Sequence, residues 1–330
     1  MLRMAPFDVH TPATAAEAVA LRTRLPDSMY LAGGTDLLPN LKHRLHAPQH
    51  LVSLRGVEDL VGIARDADGT LRVGAGTSLH AVATSETVGA AVPALARAAG
   101  LIAGPQHRRM GTLGGNVMLD TRCLFYNQSE GWREALGYCL KRDGDWCHVI
   151  NTPKRCVAAH SADTVPVLLT VGARVAYEGP EGPGEIALDD LYVMDGRFYQ
   201  NRSLDPATLV TQIIVPPQPE GHRSVYHKVR ARGAVDFPQL GLALAGDFAE
   251  DGTVRSLVGV VTAVLPKPRF LRKLDSAVGT RLEDEVIDDL AEIVRRQTHP
   301  QASAHGAPAW RKHMAGVEMR RGLLELREGA

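Results

Sequence analysis

The sequence has few aromatic residues, no excess charge of either sign and no long apolar run. Its 330 residues contain 37 basic and 37 acidic side chains, which gives a formal net charge of zero. A protein that binds nucleic acid usually carries a basic surface for the phosphates, and none is indicated here. No apolar run reaches the roughly 18 residues that a membrane-spanning helix needs. We therefore expect neither nucleic acid nor a membrane among the partners.

We also expect no secretion signal at the start of the sequence. Residues 1–8 lack the apolar segment that such a signal contains, and we expect a cytoplasmic protein. In that compartment clustered cysteines serve more often as metal ligands or redox groups than as disulfides.

Cysteine is absent from most of the chain and concentrated in one stretch, at Cys123, Cys139, Cys147 and Cys156. The spacing C-x15-C-x7-C-x8-C lacks the C-x2-C pairs that are usual in zinc ribbons and bacterial ferredoxins. A loop of irregular spacing can still fold around a metal group, because the ligand bonds close the loop. The four side chains are sufficient for an iron–sulfur cluster or a zinc ion, and disulfides or free thiols are the alternatives.

Two glycine-rich stretches precede the midpoint of the chain. Residues 32–36 read Ala-Gly-Gly-Thr-Asp, and residues 111–116 read Gly-Thr-Leu-Gly-Gly-Asn. Glycine lets backbone amides approach an anion closely, and the end of a strand makes such amides converge. Neither stretch matches the dinucleotide or P-loop patterns, and either one alone is also compatible with an ordinary tight turn. Together they indicate a long nucleotide that contains a pyrophosphate.

A third motif, D-T-V-P-V-L-L at 163–169, joins A-G-G-T-D-L at 32–37 and G-T-L-G-G-N at 111–116. In this order the three motifs resemble the FAD-binding subunit of the molybdenum hydroxylases, a family that includes the flavin subunits of carbon monoxide dehydrogenase. The likeness extends over essentially the whole chain. It implies an α+β fold, with a two-part N-terminal FAD-binding α/β region of the PCMH/VAO-like type. A C-terminal antiparallel sheet with helices would follow, like that of the CO dehydrogenase flavoprotein.

We expect this fold to divide the chain into three parts. They are an N-terminal FAD-binding subdomain at 1–57, a second FAD-binding subdomain at 58–217 with the four-cysteine insertion at about 120–158, and a C-terminal α+β domain at 218–330. The last boundary follows from the pair Pro216-Pro217, which interrupts regular structure. Residues 209–215, just before it, are predicted to pass from helix to strand.

The resemblance also assigns residues to FAD. The assigned residues are Ala32, Gly33, Gly34, Thr35, Asp36, Leu37, Thr112, Gly114, Gly115, Asn116, Ser161, Asp163 and Lys228. Both glycine loops would hold the pyrophosphate through backbone amides, and Asp163 would contact ribityl or ribose hydroxyls, with Ser161 nearby. Lys228 would place positive charge near the flavin ring. The alternative for Lys228 is a solvated charge on a strand.

The cysteine segment departs from ordinary members of the family. Asn116 and Asp163 lie 47 positions apart (163 − 116), and ordinary members cover the same interval in far fewer residues. The inserted loop resembles that of the flavin subunit of 4-hydroxybenzoyl-CoA reductase, which carries a [4Fe-4S] cluster in addition to FAD. By this resemblance all four cysteines would be cluster ligands. Basic residues would offset the charge of the cluster and aromatic residues would shield it: Lys141, Arg142, Lys154 and Arg155, and Trp132, Tyr138 and Trp146.

The function that follows is electron transfer in an oxidoreductase complex. The resemblance implies a large molybdenum-cofactor subunit and a small [2Fe-2S] subunit as partners, and ferredoxin as a candidate electron donor. No nucleophile–base pair suitable for substrate chemistry stands out, so we expect no catalytic residue on this chain. Three alternatives remain: the flavin subunit of an oxidative molybdenum hydroxylase for an N-heterocycle or purine, a stand-alone flavin oxidoreductase, and a non-redox subunit whose cysteine loop holds zinc.

Overall fold

Three β-sheets organise the chain in the computed structural model, which describes residues 3–197 and 202–329. The first sheet is small and parallel. Its strands are β1 (Asp8–His10), β2 (Ser28–Leu31) and β3 (His50–Ser53), in the order β1-β3-β2, and its helices are α1 (Ala15–Arg24) and α2 (Leu37–Lys42). The hydroxyl of Thr14 accepts a hydrogen bond from the amide of Glu17 at 3.1 Å, which caps α1. The first glycine loop fills the space between β2 and α2.

The second sheet is antiparallel and has five strands. They are β4 (Ile63–Arg65), β5 (Leu71–Gly74), β6 (Arg174–Gly179), β7 (Gly182–Ala187) and β8 (Leu209–Val215), in the order β4-β5-β8-β6-β7. Its segment of the chain also contains α3 (Leu79–Thr84), α4 (Glu86–Ala91), α5 (Pro93–Gly100), α6 (Pro105–Met110), α7 (Leu113–Val117), α8 (Glu130–Ala135) and α9 (Thr164–Thr170). The predicted passage from helix to strand at 209–215 is wrong. The segment is strand throughout because its β-branched residues suit a sheet and pair with both β5 and β6.

The third sheet is also antiparallel. It contains β9 (His222–Val229), β10 (Leu240–Phe248), β11 (Val254–Thr262) and β12 (Arg269–Phe270), in the order β12-β11-β10-β9, with α10 (Asp284–Gln297) and α11 (Pro308–Glu328) against it. Most of β10 is buried on both faces, because α11 packs on one side and α9 on the other. The third sheet thus shares a core with α9 and α5. This arrangement confirms the predicted α+β class.

The cysteine segment lies between α7 and α9 and forms a small core of its own. Leu45, Cys123, Tyr126, Cys156 and Ala158 make a buried cluster separate from the cores of the three sheets. Apart from α8 the segment consists of turns and isolated bridges. No helix within residues 3–197 and 202–329 combines the length and apolarity needed to cross a membrane.

Candidate functional site

The first glycine loop, residues 32–37, presents unbonded amides. Gly34 has φ +70, a left-handed conformation that glycine adopts without strain. The amides of residues 33–36 bond to no acceptor in the part of the chain that the structure describes, and the loop is partly exposed. Successive unbonded amides in a turn form a concave site for an anion.

The second glycine loop, residues 111–116, lies directly against the first. A Cβ atom on Gly33 would lie 1.9 Å from the carbonyl oxygen of Met110. A Cβ atom on Gly114 would lie 2.7 Å from the carbonyl oxygen of Ala75. Both distances are too short for any side chain, so these glycines are required for the close approach of the backbones. We call the two adjoining loops the glycine-loop site.

Most amides of the second loop are already bonded within the protein. Their acceptors are the carbonyl oxygens of Thr77 for Leu113, Ala75 for Gly114 and Thr112 for Asn116, and the hydroxyl of Thr112 for Gly115. The amide of Thr112 has no acceptor among the described residues. The side chain of Asn116 accepts two hydrogen bonds from Thr164, at 3.2 and 2.6 Å, which leaves its NH₂ group as a donor. The unbonded amides are therefore concentrated in the first loop.

An ion pair connects the first loop to the cysteine segment. Arg122 donates to Asp36 Oδ1 at 2.8 Å, and Asn40 donates to Oδ2 at 2.9 Å. The Arg122 guanidinium also lies 3.9 Å from the ring centroid of Phe237, in the C-terminal part of the chain. Burial raises the pKa of Asp36, and Arg122 opposes that rise. The sequence prediction missed Arg122, although its place directly before Cys123 was a usable signal.

Asp163 and Lys228 form a second, buried ion pair. Their side chains are 4% and 1% exposed, and Lys228 Nζ lies 2.8 Å from Asp163 Oδ2. Tyr226 donates to Asp163 Oδ1 at 2.7 Å, and Lys228 also donates to the carbonyl oxygen of Leu101 at 3.1 Å. Lys228 is thus not the solvated charge that was one interpretation of the sequence. Ser161 is buried, and its hydroxyl donates to a backbone carbonyl two residues earlier at 3.3 Å.

The four cysteines surround one narrow cavity, which we call the cysteine cavity. All four are free thiols, and each is at most 8% exposed. Between them the wall is completed by Phe125, Tyr126, Leu140, Lys141, His148, Val149 and Ala158. Free thiols at all four positions exclude disulfides in this structure. The fold therefore gathers cysteines that lie as far as 33 positions apart (156 − 123).

Short turns and backbone donors set the positions of the cysteines. The amide of Arg142 donates to the carbonyl oxygen of Cys139 at 2.8 Å. The amide of Cys147 donates to the carbonyl oxygen of Thr152 at 2.9 Å. The amide of Ala158 donates to the sulfur of Cys156 at 3.4 Å. Backbone donors of this kind are common around the sulfurs of iron–sulfur clusters.

Burial favours the neutral form of two of the four thiols, Cys123 and Cys156. Burial raises the pKa of Cys123 to about 12, against a hydrogen bond from the Phe125 backbone that lowers it. Burial likewise raises the pKa of Cys156 to about 11, although the hydrogen bond from the Ala158 amide lowers it. Because metals bind thiolates, a metal group entering this cavity must displace protons.

The described residues contain no group of three or more His, Cys, Asp or Glu side chains arranged to hold a metal ion. A single tetrahedral zinc ion needs all four sulfurs about 2.3 Å from one point, so the thiols as they stand do not form a zinc site. The same finding applies to a cluster, because the thiols as they stand are not arranged as metal ligands. Their chemistry alone, four buried free thiols, is of the donor type that iron–sulfur groups use. The [4Fe-4S] cluster itself stays a prediction.

The predicted shielding of the cysteines is partly wrong. Trp132 and Trp146 are 40% and 44% exposed, and neither they nor Tyr138 line the cavity. Phe125 and Tyr126 take that place. Among the predicted basic residues, Lys154 and Arg155 are exposed and only Lys141 lines the cavity. Side chains at turns point according to local backbone geometry, which spacing alone did not reveal.

Comparison with known proteins defines the class. Residues 5–218 match the FAD binding domain in molybdopterin dehydrogenase, and residues 224–326 match the CO dehydrogenase flavoprotein C-terminal domain. The chain therefore belongs to the family of FAD-binding subunits of the molybdenum hydroxylases, as its motifs predicted, and is an FAD-dependent oxidoreductase subunit.

Individual relatives agree with this assignment. The chain is 31% identical to the carbon monoxide dehydrogenase medium chain of Afipia carboxidovorans, over 96% of this chain and 95% of the relative. It is 27% identical to the xanthine dehydrogenase FAD-binding subunit of Escherichia coli O157:H7, over 92% of this chain and 90% of that subunit. It also resembles the solved structure of reconstituted CO dehydrogenase from Oligotropha carboxidovorans, with a TM-score of 0.79, 30% identity, and 99% and 100% coverage.

Proposed function

We propose that this flavin subunit carries a [4Fe-4S] cluster in addition to FAD and works in a complex of the 4-hydroxybenzoyl-CoA reductase type. The observation that supports this most strongly is the convergence of four buried free thiols on one cavity. The cavity adjoins the glycine-loop site through Arg122, which precedes Cys123 and contacts Asp36. Such a complex removes the phenolic hydroxyl of an aromatic acyl-CoA reductively.

The proposed flavin site uses the residues assigned from the sequence. The unbonded amides of residues 33–36 would receive the pyrophosphate, between Ala32 and Leu37. In the second loop, the Thr112 amide and the Asn116 NH₂ group are available as donors, while Gly114 and Gly115 keep the backbone close. The buried pair of Asp163 and Lys228 would position the start of α9 beside the cofactor, with Ser161 on the adjoining turn.

The proposed cluster site uses the four thiols as ligands, Cys123, Cys139, Cys147 and Cys156. When bound, FAD exchanges electrons in pairs or singly and an iron–sulfur cluster exchanges them singly, so the two together supply an electron relay. The protein supplies a connection between their sites. It runs from Cys123 across one peptide bond to Arg122, along the Arg122 side chain, and across a 2.8 Å hydrogen bond to Asp36.

The proposed partners are a large molybdenum-cofactor subunit, a small [2Fe-2S] subunit and a ferredoxin. The first two follow from membership in the family, whose members named carbon monoxide dehydrogenase medium chain and xanthine dehydrogenase FAD-binding subunit are parts of larger enzymes. The three sheets support the proposed division at 57 and 217. A cytoplasmic location stays a prediction from the sequence.

A second candidate is the flavin subunit of an oxidative molybdenum hydroxylase. The similarity to carbon monoxide and xanthine dehydrogenase subunits favours it. In that case the cysteine cavity would be an exit for electrons or would close around zinc as a structural site.

Anaerobic purification followed by an absorption spectrum and analysis of iron, acid-labile sulfide and zinc tests the proposal. We expect flavin together with about four irons and four sulfides per chain, as for a cubane held by four thiolates. Flavin with zinc and without sulfide would refute the cluster and leave an ordinary hydroxylase flavin subunit.

The direction of electron flow can be tested only in the whole complex. Reduced ferredoxin should reduce the flavin of the native complex, and a complex carrying Cys147→Ser should lose this reaction while it retains FAD. If that variant accepts ferredoxin electrons at the native rate, the cysteine cavity is not the entry point.

A further inference from the structure

Lys141 is a buried cation in the wall of the cysteine cavity. Its side chain is 1% exposed, and it lines the cavity together with the four cysteines. Lysine side chains are rarely buried unless their charge is paired or hydrogen-bonded. The position of this ammonium therefore calls for an explanation beyond packing.

The structure fixes the ammonium by three hydrogen bonds. Lys141 Nζ donates to Asp120 Oδ1 at 2.9 Å, to Thr121 Oγ1 at 2.9 Å and to the carbonyl oxygen of Gly196 at 2.6 Å. It also lies 4.7 Å from the ring centroid of Tyr126, another residue of the wall. All three donor positions are used, so the charge is held at one point beside the thiols.

Three other cations of this region are more exposed than Lys141. Arg197 interacts with Cys156, but its side chain is 35% exposed, so solvent screens the charge. Lys154 lies on the same loop and is exposed. Arg142 is 37% exposed and paired with Asp143.

From this geometry we infer that Lys141 and Asp120 set the reduction potential of the metal group that the four cysteines hold. The inference rests on the proposed cluster. Reduction adds a negative charge inside a cavity of low dielectric, where a fixed cation stabilises the reduced form and a fixed anion opposes it. Lys141 raises the potential, and Asp120 limits that rise while it holds the ammonium in place. Neither residue binds the metal, so both act as positioning and tuning residues.

Two substitutions of opposite sign test the inference by spectroelectrochemical titration of the anaerobic chain. Lys141→Met removes the cation and should shift the midpoint potential of the cluster to a more negative value. Asp120→Asn preserves shape and removes the anion, and should shift it to a more positive value. The matched control Lys154→Met, on the same loop, should keep the native potential, and the flavin potential should change little in any variant.

The outcomes separate this inference from the function on which it rests. A native chain without iron and sulfide would overturn both. Native iron content with unchanged cluster potentials, or with shifts of the same sign in Lys141→Met and Asp120→Asn, would overturn the inference alone. Should Lys141→Met fail to retain the cluster, Asp120→Asn decides by itself, because a positive shift supports the inference and an unchanged potential refutes it.

Discussion

The glycine-loop site and the cysteine cavity lie on either side of Arg122, yet their charges are balanced in different ways. Around the glycine-loop site the ionised side chains are already paired, Asp36 with Arg122 and Asp163 with Lys228. In the cysteine cavity burial holds the pKa of Cys123 and Cys156 high, so these two thiols are neutral until a ligand replaces their protons. The flavin region is thus organised before its cofactor arrives, whereas the cysteine region depends on its ligand.

The largest effect is expected when one of the four cysteines of the cysteine cavity is replaced. Cys147→Ser removes one of four thiols and replaces it with a hydroxyl, which is a poor ligand for iron. We predict that iron and sulfide are lost almost completely while the FAD content stays native, because the glycine-loop site has separate contacts. Lys154→Met serves as the control and should retain both. Native iron content in Cys147→Ser would exclude that cysteine as a ligand.

The buried ion pair in the flavin region should give the next largest effect. Lys228→Met leaves Asp163 buried with one partner fewer, and breaking such a pair costs about 3–5 kcal/mol. Urea unfolding should show a loss of this size, part of which the double variant Asp163→Asn with Lys228→Met should restore. A single variant as stable as the native protein would mean that the carboxylate is not ionised in the folded state.

The contact between the two glycine loops can be broken by one methyl group. Gly33→Ala places a carbon 1.9 Å from the carbonyl oxygen of Met110, and the loops must separate, at a cost of about 1–3 kcal/mol. We expect FAD to bind at least about tenfold more weakly, a difference of about 1.4 kcal/mol, measured by equilibrium titration of the apoprotein. Gly89→Ala, where the added carbon meets nothing within 4 Å, should keep native affinity. Equal affinity in the two variants would contradict the loop contact.

The smallest expected effect is the pH dependence of stability that comes from His227 and two carboxylates of α11. His227 lies 2.9 Å from Glu318 and 2.8 Å from Glu325. Burial lowers the pKa of His227, but these two carboxylates outweigh burial and leave the pKa raised. A raised folded pKa stabilises the protein fully below the unfolded value of about 6.5, and that stability is lost as the pH rises through the folded pKa.

Unfolding in urea between pH 5.5 and pH 8.5 tests this contribution. The native protein should exceed His227→Gln by on the order of 1 kcal/mol at the acidic end, and the difference should shrink as the pH rises. His305→Gln, at an exposed position, should reproduce the native profile. A difference that grows with pH would contradict the assigned charge of His227.

The two regions also differ in how much the sequence could predict. The glycine loops and the cysteine segment are recognisable because each is continuous in sequence, and their chemistry follows from residue type. The pair of Asp36 and Arg122 spans 86 positions, and Lys141 reaches Gly196 across 55. Such contacts depend on how separate segments pack, which no local pattern encodes.

Amide bonding in the second glycine loop was equally hidden from the sequence. Its glycines suggested unbonded donors, but the amides of Leu113 and Gly114 bond to the backbone beyond β5, at Thr77 and Ala75. Glycine there permits close packing as well as anion binding, and sequence does not separate the two uses.

The contacts of Arg311 were likewise not predictable from the sequence. This side chain is fully buried and donates hydrogen bonds to backbone carbonyls of three other segments.

The central claim is that one chain holds two redox groups at separate sites, and one measurement tests it directly. FAD, iron and sulfide should be quantified side by side in the anaerobically purified native chain, Gly33→Ala and Cys147→Ser. We predict that Gly33→Ala retains less FAD than the native chain and keeps its iron, and that Cys147→Ser loses iron and keeps FAD. A native chain without iron, or variants that lose both groups together, would contradict it.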